Sequence, residues 1–271
     1  MSKLNRKLIF YIIGILLLFN GGAMLISSLV SLIVNDGFVK EITLSAFIVI
    51  FLGFVIISLT KNNKKKLNKR DGYLIVTIGW LTMVFSGMLP YYFTDSITSF
   101  SNLFFETMSG YTTTGSTILN DIEVLPKSII FWRSMTNWLG GMGIIVLAIA
   151  ILPLLGIGGM QLYSAEAPGT GINGDKIHPR ISDTAKRLWG IYVGLTVVET
   201  VLLKLAGMSF FDAINSSMSN IASGGFSSKN ASIGYWNDVP LIQYIIILFM
   251  FLAGTNFILI YFGLTGRIKK I

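Results

Sequence analysis

Six apolar segments, each long enough to cross a bilayer as a helix, constrain the fold of this chain more than any other feature. A transmembrane helix needs about 20 predominantly apolar residues to traverse the roughly 30 Å of hydrocarbon. Segments of this kind occur at 8–34, 43–60, 73–93, 129–155, 187–207 and 240–264. The sequence therefore predicts an all-α membrane protein, in keeping with its 53% content of hydrophobic residues.

The positions of the basic residues predict the orientation of these helices. Most of the 21 lysines and arginines fall in segments that share one side of the membrane, if the chain crosses it at each apolar stretch. These segments are 1–7, 61–70, 156–187 and the C-terminal GRIKK. Because basic residues accumulate on the cytoplasmic side, we expect a multi-pass protein with a cytoplasmic N-terminus. The net charge of +8 then reflects topology, and no nucleic-acid partner is expected.

The residue types that build most catalytic and metal centres are scarce in this sequence. There is no cysteine, and His178 is the one histidine. Disulfides, thiol nucleophiles and multi-histidine metal sites are thereby excluded. The carboxylates are scattered, so we expect neither an enzyme nor a cofactor.

Two of the stretches between apolar segments, 94–128 and 208–239, have the same order of parts. Each begins with an apolar segment too short to span a membrane and continues into a small, polar, glycine-containing stretch, TTTGST in one and SGGFSS in the other. A shift of 110 positions superposes Gly115 on Gly225. The sequence therefore predicts a repeat composed of a span, a half-length helix, a glycine strand and a second span.

The stretch SGYTTTGSTIL at 109–119 is hydroxyl-rich and uncharged, although it lies between membrane segments. Irregular backbone is tolerated at membrane depth where it is buried in protein or lines a water-filled path. A half-length helix ending near Gly110 would aim the partial negative charge of its carbonyl end at a cation. The small residues that follow could hold a strand extended, with their carbonyls replacing an ion's hydration shell, and Gly115 permits a backbone angle that a side chain resists. The alternative interpretation is an ordinary external loop, but the recurrence of the pattern in the second repeat favours a filter strand.

Four stretches resemble the superfamily of Trk, Ktr and HKT potassium transporters, most closely the bacterial Trk-type pore subunits. They are FFETMSGYTTTGSTIL (104–119), FWRSMTNWLGGMGIIVLAIAILPLLGIGGMQLYSAEAPG (131–169), PRISDTAKRLWGIYVGLTVVET (179–200) and IASGGFSSKNASIGYW (221–236). The resemblance implies a pore of four span–pore-helix–span repeats around one axis, preceded by two further helices, and a location in the bacterial inner membrane.

By position, the resemblance divides this chain into four parts. Residues 1–70 form a two-helix hairpin with a basic cytoplasmic linker, and 166–182 form a cytoplasmic loop. The first pore repeat covers 71–165, with a pore helix at about 97–110 and a filter strand at 112–116. The second repeat covers 183–271, with a pore helix at about 209–221 and a filter strand at 222–226.

The resemblance also implies which backbone carbonyls bind potassium, the transported ion and the one metal expected here. The expected ion-binding residues are Thr112, Thr113, Thr114 and Gly115 in the first strand, and Ala222, Ser223, Gly224 and Gly225 in the second. In the related plant transporters a serine at the first filter-glycine position accompanies sodium transport. Gly115 therefore favours potassium.

The sequence departs from the family by ending at Ile271, just after the second repeat. Two strands do not encircle a cation, so we expect either a fragment of a longer pore or two copies assembled as a dimer. Potassium uptake is the function expected of the complete pore. The alternatives are a non-conducting truncated or accessory membrane protein that retains the fold, or a sodium-permeable relative.

Two sets of charged residues, one near the expected filter and one on the cytoplasmic side, suggest further roles. Glu106 and Arg133 lie at membrane depth, and we expect them to brace the filter as a pair. The segment 156–187, predicted to be cytoplasmic, carries the basic residues Lys176, Arg180, Lys186 and Arg187. Either these are a topology signal, or they form a docking surface for the cytoplasmic nucleotide-binding regulatory subunit of Trk-type systems.

Overall fold

All regular structure in the described part of the chain is helical. The computed structural model describes residues 4–61, 69–155, 181–255 and 257–264. In chain order the helices are α1 (Arg6–Val34), α2 (Val39–Thr60), α3 (Lys69–Gly87), α4 (Leu89–Phe93), α5 (Phe100–Tyr111), α6 (Lys127–Leu155), α7 (Ile181–Leu205), α8 (Phe210–Ile221), α9 (Pro240–Gly254) and α10 (Phe257–Leu264). A 3₁₀ turn, Ser232–Trp236, precedes α9. The prediction of an all-α membrane protein, with two helices followed by two span–short-helix–span repeats, is confirmed.

Several of the helices are long and apolar enough to cross a bilayer. Within the described residues, four such spans are Arg6–Val34, Val39–Thr60, Arg70–Phe93 and Arg187–Leu205. Large apolar side chains point outward from them. In α2, for example, Phe47 and Phe54 are 65% and 64% exposed. Such exposure suits contact with lipid rather than with water.

The helix ends differ from the hydropathy prediction in ways that local chemistry explains. Helix α2 begins at Val39 rather than at 43, because its first turn includes charged residues that lower the hydropathy without interrupting the helix. The predicted span 73–93 is divided at Met88, two residues before Pro90, whose ring carries no backbone N–H. The predicted span 240–264 is divided at Thr255, which is extended with ψ 157°.

Helices α1 and α2 form a close hairpin because glycines face each other across it. A Cβ built on Gly14 would lie 3.0 Å from the carbonyl oxygen of Gly53, and one built on Gly53 would lie 2.9 Å from that of Gly14. In lipid, small residues of this kind let two helix backbones approach and gain dispersion contacts. The hairpin therefore forms a compact unit beside the repeats.

Asp36, in the loop between α1 and α2, links the hairpin to the first repeat. Its carboxylate accepts hydrogen bonds from the hydroxyl of Ser31 and from the backbone N–H groups of Phe38 (3.3 Å) and Ser128 (2.9 Å). Partial burial opposes ionisation, but these hydrogen bonds outweigh it and lower the pKa of Asp36. Since Ser128 lies in the first turn of α6, the carboxylate also stabilises the positive end of that helix.

Some of the predicted cytoplasmic features fall outside the described residues. They include residues 62–68 of the basic linker, most of the loop 166–182, and the basic positions Lys176 and Arg180. Of the four basic residues singled out in 156–187, Arg187 has a described side chain, whose guanidinium hydrogen-bonds the hydroxyl of Tyr261.

Candidate functional site

The two short helices, α5 and α8, end in the same way. Each has 12 residues and is preceded by an extended serine, Ser99 or Ser209. At the C-terminal end of each helix, the next three backbone N–H groups donate hydrogen bonds to carbonyls of the last turn. In the first repeat these bonds are Thr112 to Met108 (2.9 Å), Thr113 to Gly110 (3.0 Å) and Thr114 to Ser109 (3.0 Å). In the second they are Ala222 to Met218 (3.4 Å), Ser223 to Asn220 (2.8 Å) and Gly224 to Ser219 (2.9 Å).

The strands that follow, 112–116 and 222–226, share an unusual backbone. Thr113 and Ser223 are left-handed with φ 53° and 56°, and Gly115 and Gly225 have φ 72° and 82°. The expectation of a simply extended strand is therefore wrong at these positions. Left-handed residues placed at every second position allow successive carbonyls to face one side, whereas an extended strand turns them to alternate sides. A threonine in this region is rare and strained, and such strain is concentrated at functional sites.

The two strands lie against each other. A Cβ built on Gly115 would overlap the carbonyl oxygen of Gly224 and lie 2.9 Å from its carbonyl carbon. A Cβ on Gly224 would in turn overlap the side-chain amide of Asn137. Glycine is therefore required at 115 both by its positive φ and by the close approach of the neighbouring strand.

The exposed surface of the two strands is formed by neutral oxygen-bearing groups. Thr112, Thr114, Ser116 and Ser223 are exposed, and the hydroxyls of Thr112 and Thr114 lie 2.8 Å apart. Among the described residues, no group of three or more histidine, aspartate or glutamate side chains has an arrangement that could hold a metal. The strands therefore offer hydroxyls and carbonyls rather than carboxylates to an approaching cation.

Glu106 and Arg133 form an ion pair beside the first strand. Arg133 Nε lies 2.9 Å from Glu106 Oε1, and the two side chains are 1% and 0% exposed. The carboxylate also accepts hydrogen bonds from the Thr117 hydroxyl (2.9 Å) and the Ile118 N–H (3.0 Å). Burying two charges is costly, so a pair of this kind requires additional hydrogen bonds to be stable. The hydrogen bonds to Glu106 hold in place the residues that follow the first strand.

Arg133 also reaches the second strand. Its Nη1 donates to the carbonyl oxygen of Ser227 at 3.3 Å, and its guanidinium carbon lies 4.2 Å from the centre of the Phe226 ring. Its Nη2 donates to Thr117 at 3.3 Å. One arginine therefore connects the chain segments that leave both strands.

Helix α6 packs through glycines against the residues at the start of both strands. A Cβ on Gly140 would overlap the carbonyl oxygen of Tyr111, and one on Gly141 would lie 3.0 Å from the Cα of Ala222. One turn earlier in the helix, Asn137 Nδ2 donates to the Ser219 hydroxyl at 3.0 Å. The α6 glycines therefore allow close packing against the helix ends that precede the two strands.

Two polar contacts here were not anticipated from the sequence. Asn137 gave no signal beyond an amide within an apolar helix, and Glu199 had no assigned partner. Glu199 is fully buried in α7, and its Oε1 accepts a hydrogen bond of 2.6 Å from Asn220 Nδ2. Asn220 lies in the last turn of the second short helix, so Glu199 anchors that helix.

The loops beyond the two strands are linked to each other by hydrogen bonds and an ion pair. Asn230 accepts from the N–H of Ile122 (2.7 Å) through its side-chain oxygen and donates to Asp121 Oδ1 (2.7 Å). Lys229 Nζ lies 3.1 Å from Glu123 Oε2. Partial burial disfavours the charged ammonium, but the hydrogen bond and charge of Glu123 prevail and raise the pKa of Lys229.

Comparisons with known proteins agree with this architecture. A family model described as "TrkH: Cation transport protein" matches residues 39–271. The chain belongs to the TrkH family. A TrkH relative, the Trk system potassium uptake protein TrkH of Escherichia coli, is 46% identical over 261 residues, which are 96% of this chain and 54% of that protein. The protein of the same name from Salmonella typhimurium is 45% identical over 261 residues, with the same coverage.

A TrkH structure is also similar to this one. The crystal structure of the potassium transporter TrkH from Vibrio parahaemolyticus matches with a TM-score of 0.85 at 39% identity, covering 98% of this chain and 53% of that chain. This chain therefore spans about half the length of the TrkH relatives that it matches.

Proposed function

We propose that this chain supplies two of the strands that form the selectivity filter of a potassium-uptake pore in the bacterial inner membrane. The observation that carries the proposal is the paired backbone. Two strands with left-handed residues at matching positions meet at Gly115 and Gly224, each at the end of a half-length helix. The names of the TrkH relatives, which describe potassium uptake, support the same assignment.

The ion is bound by backbone oxygens in this proposal. The carbonyls of Thr112, Thr113, Thr114 and Gly115 act in the first strand, and those of Ala222, Ser223, Gly224 and Gly225 act in the second. Carbonyl rings compensate an ion for the water it sheds, yet bind weakly enough for it to leave. The carbonyl ends of the two half-length helices add a partial negative charge that favours a cation at this point.

The selectivity follows from holding these carbonyls in place. Glu106 and Arg133 brace the residues that follow both strands, and the glycines of α6 fix the helix ends that precede them. A strand held at both ends keeps its carbonyls at one distance from the axis. We propose potassium as the preferred ion, with sodium permeation as the alternative outcome.

Two strands contribute half of a ring, so other strands must complete it. We propose that they come from a continuation of the same polypeptide or from a second copy in a dimer. We also propose that the N-terminus is cytoplasmic and that a cytoplasmic nucleotide-binding subunit regulates the pore, as in Trk-type systems. Neither a resident cofactor nor an enzymatic activity is part of this proposal.

The test is growth of a potassium-uptake-deficient bacterium at low potassium, combined with uptake of ⁸⁶Rb⁺ and ²²Na⁺. The chain is expressed alone and joined to whatever sequence continues its reading frame. Potassium-dependent growth, with Rb⁺ uptake exceeding Na⁺ uptake, supports the proposal. If well-expressed protein restores growth in neither form, the fold serves an accessory role instead. Equal uptake of both ions contradicts potassium preference.

A further inference from the structure

Asn20 is a fully buried amide in the middle of α1, an apolar helix outside the two repeats. Its Nδ2 donates to the Ser86 hydroxyl at 2.7 Å and is 3.4 Å from the carbonyl oxygen of Met83. Its Oδ1 accepts a hydrogen bond of 2.6 Å from the hydroxyl of Tyr111. An amide left unpaired at this depth would be costly, so these bonds hold the side chain in one orientation.

Tyr111 is the last residue of the first short helix and immediately precedes the filter strand. Its side chain is fully buried, and its ring fits against Gly87, where a Cβ would lie 2.6 Å from a ring carbon. Its carbonyl oxygen occupies the space that a side chain on Gly140 would need. Contacts from α1, α3 and α6 therefore fix the residue at which the helix ends and the filter begins.

The second repeat has no equivalent of this tie. Ile221 occupies the position 110 residues after Tyr111, at the end of the second short helix, and has no hydroxyl to donate. The hairpin is thus hydrogen-bonded to the end of the first pore helix and not, among the described residues, to the end of the second. This asymmetry is specific, because the backbone at the two helix ends is otherwise alike.

We infer that Asn20 is a positioning residue for the first filter strand, and that the N-terminal hairpin contributes to ion selection by holding the Tyr111 hydroxyl. The inference rests on the proposed function, since it assigns a role in setting the carbonyls of that filter. A filter discriminates between ions through the placement of its carbonyls, so support at the point where the strand begins affects selection directly.

The test uses the complete transporter reconstituted into lipid vesicles, with the ratio of ⁸⁶Rb⁺ to ²²Na⁺ flux as its readout. Tyr111→Phe removes the hydroxyl and keeps the ring, while Asn20→Leu removes the acceptor at similar volume. Losing one buried hydrogen bond corresponds to a change of about three- to tenfold in an equilibrium. We expect each variant to lower the flux ratio by that factor, and the double variant to lower it no further than the more affected single variant.

Ser28→Ala is the matched control, because it removes a partly buried hydrogen bond within the same hairpin rather than one that reaches Tyr111. The Ser28 hydroxyl lies 2.6 Å from that of Thr43 in α2. Ser28→Ala and Tyr111→Phe should lower the Tm by similar amounts, but the flux ratio should fall in Tyr111→Phe alone.

Three outcomes separate this inference from the proposed function. A wild-type protein that passes neither ion, or passes both equally, contradicts the proposed function. A selective wild type whose ratio is unchanged in both Tyr111→Phe and Asn20→Leu overturns the inference and leaves the proposed function intact. Additive effects in the double variant would also overturn the inference. If Asn20 and Tyr111 act through one hydrogen bond, removing the second partner causes no further loss.

Discussion

The two repeats have the same strand backbone, but a buried ion pair supports the first strand, whereas the equivalent positions in the second repeat are neutral. A shift of 110 places Ser216 where Glu106 lies. The helices that follow the strands start 113 residues apart, at Lys127 and Pro240, so Ile246 takes the place of Arg133. Ile246 is buried and apolar, and Gln243, in the first turn of the same helix, donates to Asn237 at 2.9 Å rather than to the strand. The backbone of the strand is therefore the common feature, and the side chains that hold it differ between repeats.

The difference shows which parts of the two strands the Glu106–Arg133 ion pair supports. Arg133 contacts Thr117 and Ser227, which are equivalent positions in the two repeats. It therefore lies at the junction of the two strands and holds both, so the second strand depends on a residue of the first repeat. This arrangement explains how the second repeat maintains its strand with Ser216 and Ile246 in place of an ion pair.

The second repeat adds a support of its own at the other end of its short helix. Asp212 accepts hydrogen bonds from the hydroxyls of Ser228 and Ser209, both at 2.6 Å. These bonds join the start of the helix to the chain just beyond the strand. The two strands thus differ in the strength and the location of their supports, and substitutions should separate them.

The largest contrast is expected between Gly115→Ala and Gly225→Ala. Both place a side chain at positive φ, which costs about 1–2 kcal/mol. At Gly115 the new Cβ also overlaps the Gly224 carbonyl oxygen, whereas at Gly225 it meets no described atom within 4 Å. Gly115→Ala should therefore lower Rb⁺ uptake by more than about 100-fold and Gly225→Ala by about tenfold, at matched expression.

The control for this pair is Gly22→Ala in α1, where an added Cβ meets nothing within 4 Å among the described residues. Uptake should be unchanged in this variant. Equal losses in Gly115→Ala and Gly225→Ala would contradict the close approach of the two strands.

The next effect concerns the ion pair. Arg133→Gln leaves the buried carboxylate of Glu106 without its counter-charge, which typically costs about 3–5 kcal/mol. We expect a marked fall in Tm and in selectivity, and a smaller loss of stability in the double variant Glu106→Gln/Arg133→Gln. Thermal unfolding of the purified variants in detergent measures the losses of stability, and the ratio of ⁸⁶Rb⁺ to ²²Na⁺ flux measures selectivity.

Gln243→Ala, which removes a polar side chain from the first turn of α9, is the control in the second repeat and should change the stability by less than about 0.5 kcal/mol. A double variant as unstable as Arg133→Gln alone would show that the loss comes from packing rather than from an unpaired charge.

The supports were predictable from the sequence to different extents. The spans and short helices follow from hydropathy and from the shift of 110 positions, and Glu106 and Arg133 stand out as charges at membrane depth. The left-handed Thr113 does not follow, because local preference assigns such a conformation to glycine, and contacts with other helices must override that preference. The partners of Asn137 were equally hidden, since they depend on which helices pack together.

A smaller effect is expected from Asp212→Asn, which tests the support of the second strand. An amide retains the shape and one acceptor oxygen, so a neutral hydrogen bond of about 0.5–1.5 kcal/mol replaces a charge-assisted one of about 1.5–3 kcal/mol. We expect a moderate loss of Tm and a lower Rb⁺/Na⁺ ratio, weaker than in Arg133→Gln. Asp238→Asn, which alters an exposed carboxylate in the loop before α9, is the control and should leave both unchanged. Loss of function equal to that of Arg133→Gln would mean that the two strands rely equally on their own supports.

The smallest effect is expected at the link between the loops beyond the strands, where Lys229 and Glu123 are 21% and 38% exposed. A partly exposed pair of this kind contributes about 0.2–1 kcal/mol. Because the pKa of Lys229 is raised above its ordinary value of 10.5, the contribution is complete below pH 10.5 and is lost as the pH rises through the raised pKa. Lys229→Ala should lower the Tm slightly at pH 7 and low salt and by less at high salt, whereas Lys40→Ala, an equal charge change at an exposed position in α2, should not. A Tm loss that is independent of salt would mean that the lysine acts through its aliphatic packing, and the two loops would then be joined by Asn230 rather than by charge.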